Sequence, residues 1–438
     1  MKKVFFETYG CQMNKADSDN LSLELTNNGY IITSSKNDAD IIIINTCSVR
    51  KSAETRIWGR LGFYKELSRR KAFKLIVMGC MAERLKEDLI KSKFPVDIVV
   101  GTANKKKLIS ILKNENINTK TVLTGVDNFN DFFNYSAPST ENSLRSYVNI
   151  SHGCNNYCSY CIVPFLRGSE KSRPHNEIIA DINNLTEKGV KEVILLGQNV
   201  NSYGLDINDI NFPKLLRLIS KETSIENIKY ISSHPKDFTD ELIDEIITNN
   251  RVSKWVHLAL QSGSDQILEK MNRKYTSDTY KKIVYKLKKN VPDLFLTTDI
   301  IVGFCGETNA DYQLTKDLMI DIRFDDAYMY KYNVREGTTA AKNMIDDIPD
   351  NIKIDRLTEI INIQNNIGYE NKQKRIGDVY LSIPENNTTR KKGQIHSMSF
   401  NNIPIVFDGD IENDTKKPLK LRIIDISGST MIGEKGEK

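Results

Sequence analysis

Residues Tyr147–Cys161 read YVNISHGCNNYCSYC, and this stretch decides how the rest of the chain is read. A β-prone run, Tyr147–Ser151, approaches a glycine, Gly153, and three cysteines follow at once: Cys154, Cys158 and Cys161. A short loop with this spacing can turn three thiols toward one point. Three thiolates satisfy three irons of a cubane 4Fe–4S cluster and leave the fourth iron open. An open iron is useful only if something binds there. The amino and carboxylate groups of S-adenosylmethionine (SAM) suit it, with reductive cleavage of SAM to a radical as the outcome.

Other metal chemistry is weighed against that reading. A structural zinc site wants four Cys or His ligands, commonly in paired clusters. His152 could be the fourth, but it stands on the wrong side of Gly153 for a compact knuckle. A disulfide framework fits less well, because seven cysteines is an odd number and the start, MKKVFFETYGC, has no apolar run long enough for a signal peptide. The spacing resembles the radical-SAM signature CxxxCxxC, including the aromatic residue, Tyr160, before the last cysteine.

The first 125 residues alternate strand and helix patterns. Three β-prone runs, Val4–Thr8, Ile41–Asn45 and Lys74–Met78, are separated by helical patterns at Asp17–Asn28 and Ser52–Arg70. That rhythm predicts a parallel sheet covered by helices. Each run is followed by a cysteine: Cys11 after Tyr9-Gly10, Cys47 after Asn45-Thr46, Cys80 after Met78-Gly79. Ligand sites in open α/β sheets lie beyond the carboxyl edge, so three cysteines far apart in sequence become neighbours. Taken singly, each would be a small buried hydrophobe. The repetition favours a soft-metal site, iron–sulfur or zinc, again with one position open. Cys305, in Gly303-Phe304-Cys305-Gly306, reads as structural.

After Cys161 the strand–helix rhythm continues. Strands are expected at Tyr147–Ser151, Glu192–Leu196, Lys229–Ser232, Trp255–Leu260, Thr298–Val302 and Ala327–Tyr332, with helices such as Glu177–Lys188 and Tyr280–Lys289 between them. Six such units predict a partial or open βα barrel, whose working residues sit at the carboxyl ends of the strands. Those ends carry Gln198, Asn199, Ser232, Gln261 and Gly303, candidates for contacts with SAM, with ordinary turn chemistry as the alternative. His234, before Pro235, is either a ligand or a turn cap. Arg167 and Arg173 flank the loop after the cysteines and either meet a carboxylate or phosphate or are simply solvated. Between Lys105 and Ser143 the chain is Asn-rich and weakly periodic, as expected of a stretch that includes a linker.

From about residue 371 the pattern shifts to short alternating runs separated by turns: Val379–Ile383, Gly393–Ser397, Ile403–Phe407 and Leu419–Ile426. This predicts a small all-β barrel. Residues 371–438 carry 12 Lys and Arg against 9 Asp and Glu, with Arg390 and Lys391 in a basic turn. Such loops either hold RNA or are ordinary solvated surface. The whole chain of 438 residues has a formal net charge of +5, which permits a polyanionic partner without demanding one. No stretch approaches the ~20 apolar residues of a membrane span, and unpaired cysteines without an export signal suit a reducing cytoplasm.

With the cysteines placed, the chain resembles the radical-SAM methylthiotransferases over nearly its whole length, and within them the tRNA-2-methylthio-N(6)-dimethylallyladenosine synthase (MiaB) type. The stretches that carry the likeness are Thr8–Asn14 (TYGCQMN), Asn45–Arg50 (NTCSVR), Cys158–Gly168 (CSYCIVPFLRG), Ser233–Lys236 (SHPK), His257–Asp265 (HLALQSGSD) and Met271–Tyr275 (MNRKY). The resemblance implies an α/β fold of three parts: an N-terminal parallel α/β domain over 1–125, a partial (βα)6 radical-SAM barrel over 140–370, and a TRAM-like RNA-binding β-barrel over 371–436.

It also implies two 4Fe–4S clusters. One, at Cys154, Cys158 and Cys161, cleaves SAM; an auxiliary one, at Cys11, Cys47 and Cys80, carries the sulfur to be inserted. Two SAM molecules are used per turnover, one as methyl donor and one as radical source. The implied substrate is N(6)-isopentenyladenosine beside the anticodon in a tRNA anticodon stem-loop, thiomethylated at carbon 2 of its adenine. That carbon bears no acidic proton, so a cofactor must carry the hard step. Arg167, Arg173, Arg390 and Lys391 are substrate-contact candidates. Electron-donor and sulfur-supplier proteins are expected as partners, the protein being a cytoplasmic monomer. The alternatives are a relative acting on threonylcarbamoyl adenosine or a ribosomal-protein aspartate, and, from another class, a non-catalytic zinc RNA-binding protein. One departure is visible: the family commonly has proline where Cys305 stands.

Overall fold

The computed structural model describes residues 1–48, 51–113, 120–125, 143–207, 209–388, 393–428 and 430–436. In the N-terminal part, β1 (Lys3–Thr8), β2 (Ile31–Ile32), β3 (Ile41–Thr46), β4 (Lys74–Gly79), β5 (Ile98–Val100) and β6 (Thr121–Leu123) form one sheet in the order β2-β1-β3-β4-β5-β6. Every pairing is parallel. β3 is buried along its whole length, Ile41, Ile42, Ile43 and Ile44 being covered on both faces. A run without alternation is what a strand covered on both sides requires, and each such isoleucine stabilises by roughly 1.5–3 kcal/mol. Helices α1 (Gln12–Asn27), α2 (Lys51–Ser68), α3 (Cys80–Leu85), α4 (Glu87–Lys91) and α5 (Lys105–Lys113) complete this part.

α1 begins five residues before the periodicity predicts, at Gln12 rather than Asp17. Its first turns look polar because they have special partners. Met13 and Ala16 pack on Ile194 and Leu196 of the next domain, and the Asn14 amide donates to Asn45 Oδ1 and the Thr46 carbonyl, both at 2.9 Å. α5 and β6 also fall within the stretch that reads as weakly periodic.

The central part has six parallel strands: β7 (Arg145–Asn149), β10 (Glu192–Leu196), β11 (Asn227–Tyr230), β12 (Trp255–His257), β13 (Phe295–Val302) and β14 (Asp326–Lys331). A short antiparallel pair, β8 (Ser151–His152) and β9 (Lys171–Ser172), brackets the cysteine loop. The six run as two triplets, β11-β10-β7 and β12-β13-β14, joined by bridges from Ile228 to Val252 and from Ser233 to Leu258. The result is an open barrel. Residues such as Val193, Leu195, Ile228, Val256 and Leu296 face the outer helices in the largest apolar core.

The C-terminal strands β15 (Val379–Thr388), β16 (Gln394–Ser399), β17 (Pro404–Asp408), β18 (Leu419–Ser427) and β19 (Thr430–Lys435) close into a barrel ordered β15-β16-β17-β19-β18. The fifth strand is invisible to alternation alone, because Gly433 and Glu434 interrupt it. This barrel shares a core with the central part: Trp255 and Phe295 pack among Tyr380, Ile395, Ile405 and Phe407. The buried ammonium of Lys229 pairs with Glu192 at 2.9 Å and donates to the Ser399 carbonyl at 2.8 Å. Among the described residues no helix is long and apolar enough to cross a membrane.

Candidate active site

β1, β3 and β4 are neighbours, and their register pairs Thr8 with Asn45 and Thr46 with Gly79. Their carboxyl ends therefore lie side by side, and Cys11, Cys47 and Cys80 follow at that edge. Cys11 precedes α1 as its N-cap and Cys80 begins α3. Asn14 ties the edge together, accepting from the Cys11 thiol at 3.2 Å while donating to the Thr46 carbonyl. Gly79 has φ of 95°, and a Cβ there would stand 2.5 Å from the Thr46 carbonyl oxygen. Only glycine allows that approach. Cys11 is exposed, whereas Cys47 and Cys80 are buried.

The second trio is built differently. Gly153, with φ of 79°, lies so close to Ser169 that a Cβ would fall 2.1 Å from its carbonyl oxygen, and the Gln198 side chain accepts from its backbone N–H. The loop then runs through Cys154, Cys158 and Cys161 into α6 (Val163–Arg167). Tyr157 holds a positive φ of 47° between the first two cysteines. Arg273, almost fully buried, reaches this loop from the far side of the barrel. Its Nη1 donates to the Cys158 sulfur and to the Tyr160 hydroxyl, both at 3.4 Å. Its Nη2 donates to the Ala259 carbonyl at 2.7 Å.

The two trios approach each other through α6. Cys80, Ile162 and Leu166 form one buried cluster, and Thr102, beyond β5, donates to the Leu166 carbonyl at 3.1 Å. Arg167 is no solvated loop residue. It is buried, its Nη1 donates to the Met13 sulfur at 2.9 Å, and its Nη2 lies 3.6 Å from Asp17. Gln198 also donates to that sulfur, at 2.7 Å. Arg173 is likewise buried and pairs with Asp181 at 2.8 Å and Glu177 at 3.3 Å. Arg390 and Lys391 lie outside the described residues.

All seven cysteines are free of disulfides. Among the described residues no three His, Cys, Asp or Glu side chains close on the position of a single ion. Three thiols in each trio are the donor set of a 4Fe–4S cluster with one iron left open, and are one short of the four ligands of a structural zinc site. Burial pushes the Cys154 thiol up to about 11 and the Cys161 thiol up to about 12, and raises Cys80 as well. A bare site therefore holds thiols, and a metal must displace their protons to bind.

The carboxyl edge of the open barrel supplies a polar surface. Asn149 Oδ1, Ser151 Oγ, Ser233 Oγ, His234 Nε2 and Gln261 Oε1 are buried and have no hydrogen-bond partner among the described residues. Buried polar atoms are ordinarily satisfied, so a ligand with several donors and acceptors fits here, as the amino acid, ribose and base of SAM would. Ser232 and Gln261, two non-glycine residues, hold φ of 72° and 73°, and Gly303 holds 70°. Strain of this kind persists where surrounding structure enforces it and clusters at ligand sites.

Asn199 is committed within the protein, donating to Asp237 at 2.7 Å and accepting from the His234 N–H at 3.3 Å. The Gly303 N–H donates to Glu307 at 2.6 Å. His234 caps the following turn, accepting from the Lys236 N–H at 3.2 Å, and burial holds its ring neutral. Cys305 packs among Ile267, Met271, Phe304 and Tyr332. Ser233 belongs to the polar strand end Ser232-Ser233-His234 that the sequence offers for SAM, whereas sequence reasoning missed Arg273, Asn149 and Ser151. The last two were within reach, since residues alternating with the outward-facing Val148 and Ile150 point into the barrel.

Two family models match the chain: the family described as "Uncharacterized protein family UPF0004" over residues 3–101, and the radical SAM superfamily over residues 148–319. A tRNA-2-methylthio-N(6)-dimethylallyladenosine synthase of Treponema denticola is 44% identical over 89% of this chain and 90% of its own. Enzymes of the same name from Thermoanaerobacter pseudethanolicus and Bacteroides thetaiotaomicron are 42% and 39% identical over 98% and 99% of this chain and 91% and 96% of theirs. Among solved structures, the radical SAM methyltransferase TsrM of Kitasatospora setae, with cobalamin and a 4Fe–4S cluster bound, superposes with a TM-score of 0.54. It is 11% identical over 78% of this chain and 77% of its own. At that identity the likeness is one of fold.

Proposed function

This chain belongs to the tRNA-2-methylthio-N(6)-dimethylallyladenosine synthase family of radical-SAM enzymes, and from that premise we propose how its own residues divide the work. It is a radical-SAM tRNA methylthiotransferase that converts N(6)-isopentenyladenosine next to the anticodon to its 2-methylthio derivative, using 4Fe–4S clusters and SAM. When bound, these groups supply reductive cleavage of SAM, hydrogen abstraction from an unactivated ring carbon, and the methylthio group itself. Cys154, Cys158 and Cys161 hold the SAM-cleaving cluster, and Cys11, Cys47 and Cys80 hold the auxiliary one.

The observation that carries this division is the packing of Cys80 against Ile162 and Leu166, one turn beyond Cys161. That contact supports the reading by bringing the Cys80 edge of the N-terminal sheet against the helix that follows Cys161. The remaining residues position and shield. The unsatisfied groups at Asn149, Ser151, Ser233 and Gln261 bind and orient SAM. Gln198 fixes the cysteine loop to α1 through Gly153 and Met13. α1 packs on β10 through Met13 and Ala16, and this cover serves to keep water and other hydrogen donors from a reactive radical. The adenine reaches the chamber only if extruded from its loop, where unstacked bases are read by stacking and edge contacts.

The C-terminal barrel, with Arg390 and Lys391, engages the anticodon stem-loop. Separate proteins deliver the electron and the replacement sulfur, and the enzyme works as a cytoplasmic monomer. Anaerobic purification with an iron and sulfide count tests the cofactor assignment: two clusters per chain are expected, and a colourless protein holding zinc would sink it. Nucleoside analysis of tRNA from cells lacking the gene tests the substrate. The methylthio-isopentenyl nucleoside should vanish while its unthiolated precursor accumulates.

A further inference from the structure

Arg167 is a buried cation beside the Cys80 and Cys11 thiols, and the assigned chemistry gives it no task. Its partners come from three elements, α1, β8 and α3. Nη1 donates to the Met13 sulfur of α1 at 2.9 Å and lies 3.5 Å from His152 Nδ1 of β8. Nη2 is 3.6 Å from the Asp17 carboxylate, beyond hydrogen-bond distance, and has no hydrogen-bond partner among the described residues. The guanidinium also meets the Cys80 thiol and feels Cys11. Asp17 is not available to neutralise it alone, because Lys105 is ion-paired with the same carboxylate. Positive charge is thus gathered beside Cys11 and Cys80, with Nη2 left at ion-pair distance from Asp17 and short of a close hydrogen bond.

An unsatisfied buried donor costs about 1–3 kcal/mol, and a buried cation costs more unless an anion meets it. A cluster held by three thiolates is such an anion. Hydrogen bonds to its sulfurs and nearby charge are the means by which a protein sets its reduction potential.

We propose that Arg167 is the positioning residue of the auxiliary cluster: its guanidinium supplies the compensating charge beside Cys80 and Cys11, and its unpartnered Nη2 donates to a sulfur of that cluster. Because Arg167 closes α6, the helix that leaves the SAM-cleaving loop, it also fixes the distance between the two centres. Arg273 is its counterpart, with Nη1 on Cys158. Each trio therefore has its own buried arginine, and the two are reached from different elements.

This inference rests on the two-cluster reading. Its test is a redox titration, followed by electron paramagnetic resonance, of the reconstituted full chain in a Cys158→Ala background, so that only the auxiliary cluster is read. Arg167→Gln removes the charge and Arg167→Lys keeps it. The expected result is a midpoint shifted to more negative potential in Arg167→Gln and largely restored in Arg167→Lys. Sulfur insertion in the otherwise intact chain should fall roughly 10–100-fold in Arg167→Gln, the range for groups that support metal ligands. Loss of auxiliary iron in Arg167→Gln but not in Arg167→Lys would carry the same meaning. An unchanged midpoint in both variants, or a lysine variant that behaves like the glutamine one, overturns the inference. Absence of any cluster at Cys11, Cys47 and Cys80 before Arg167 is touched would instead overturn the reading beneath it.

Discussion

The two cysteine trios reach the same kind of arrangement by opposite routes. Cys154, Cys158 and Cys161 lie within one loop, already close in sequence and pinned by Gln198 and Arg273. Cys11, Cys47 and Cys80 span 70 residues and meet only because three parallel strands pair in register. The local trio has no exposed cysteine, with Cys158 buried beneath Arg273 and Cys154 and Cys161 half-buried, while the distributed one buries Cys47 and Cys80 and leaves Cys11 exposed at its rim. That difference suits a centre that must shield a radical and one whose sulfur must be replenished.

The largest expected effects break this pair apart. Cys158→Ala should abolish SAM cleavage and leave the auxiliary cluster, while Cys11→Ala should spare SAM cleavage and stop sulfur insertion. Iron should fall by about half in each, on the count of two equal clusters. Iron unaltered by Cys158→Ala, or sulfur transfer retained in Cys11→Ala, would show the division of labour to be wrong. Next comes Arg273→Lys. Lysine keeps the charge but not the fork that bridges Cys158, Tyr160 and Ala259. SAM cleavage and iron affinity at the local trio should fall roughly 10–100-fold, with the auxiliary cluster's spectrum unchanged. A change confined to the auxiliary centre would mean that the two arginines have been assigned to the wrong trios.

How far each trio was legible in the sequence follows from the same contrast. The local one is a spacing, and spacing is written in the chain. The distributed one was legible because each cysteine follows an apolar strand closely, with glycine before Cys11 and Cys80 and threonine before Cys47. The strands β1, β3 and β4 announce themselves by long apolar runs. β5 and β6, at three residues each, are too short to show a period. The arginines were not legible in their roles, because those depend on closure of the fold: Arg273 meets a cysteine 115 positions away, and Arg167 meets Met13 154 positions away. The start of α1 was hidden for a related reason. Asn14 and Asp17 look like solvent-facing residues until the sheet edge and Lys105 reach them.

A third prediction asks whether the C-terminal barrel is part of the same rigid frame. Lys229, fully buried, joins Glu192 to the Ser399 carbonyl, and Glu192 also pairs with Arg145, which reaches Glu385 of the barrel at 3.2 Å. Lys229→Met removes one partner and leaves carboxylate charge buried. Breaking a buried pair in this way costs about 3–5 kcal/mol. The melting temperature should fall by several degrees, and limited proteolysis should release the barrel earlier than in the wild type. Cluster content should not change. An unaltered melting curve would mean that the apolar contacts of Trp255 and Phe295 alone hold the barrel.

The smallest expected effect isolates one carboxylate beside the local trio. Glu170 is buried, accepts from the Ser202 hydroxyl at 2.5 Å, and faces Asp206 and Asp237. Burial, with those two like charges adding to it, raises its carboxyl to about 7. The folded state therefore holds the proton more tightly than the unfolded chain, whose value lies near 4.5. Stability from this group is fully present below pH 4.5 and is lost as pH rises through 7. The loss at higher pH is at most about 3.5 kcal/mol, because each tenfold difference in proton affinity between the two states is worth about 1.4 kcal/mol. Glu170→Gln keeps the shape and a hydrogen-bonding oxygen for Ser202 but carries no proton to lose. Its melting temperature should match the wild type at about pH 5 and exceed it at about pH 8, with the crossover between. A difference that stays constant across that range would mean the carboxylate is ionised in the folded protein throughout, and that Lys236 rather than burial governs it.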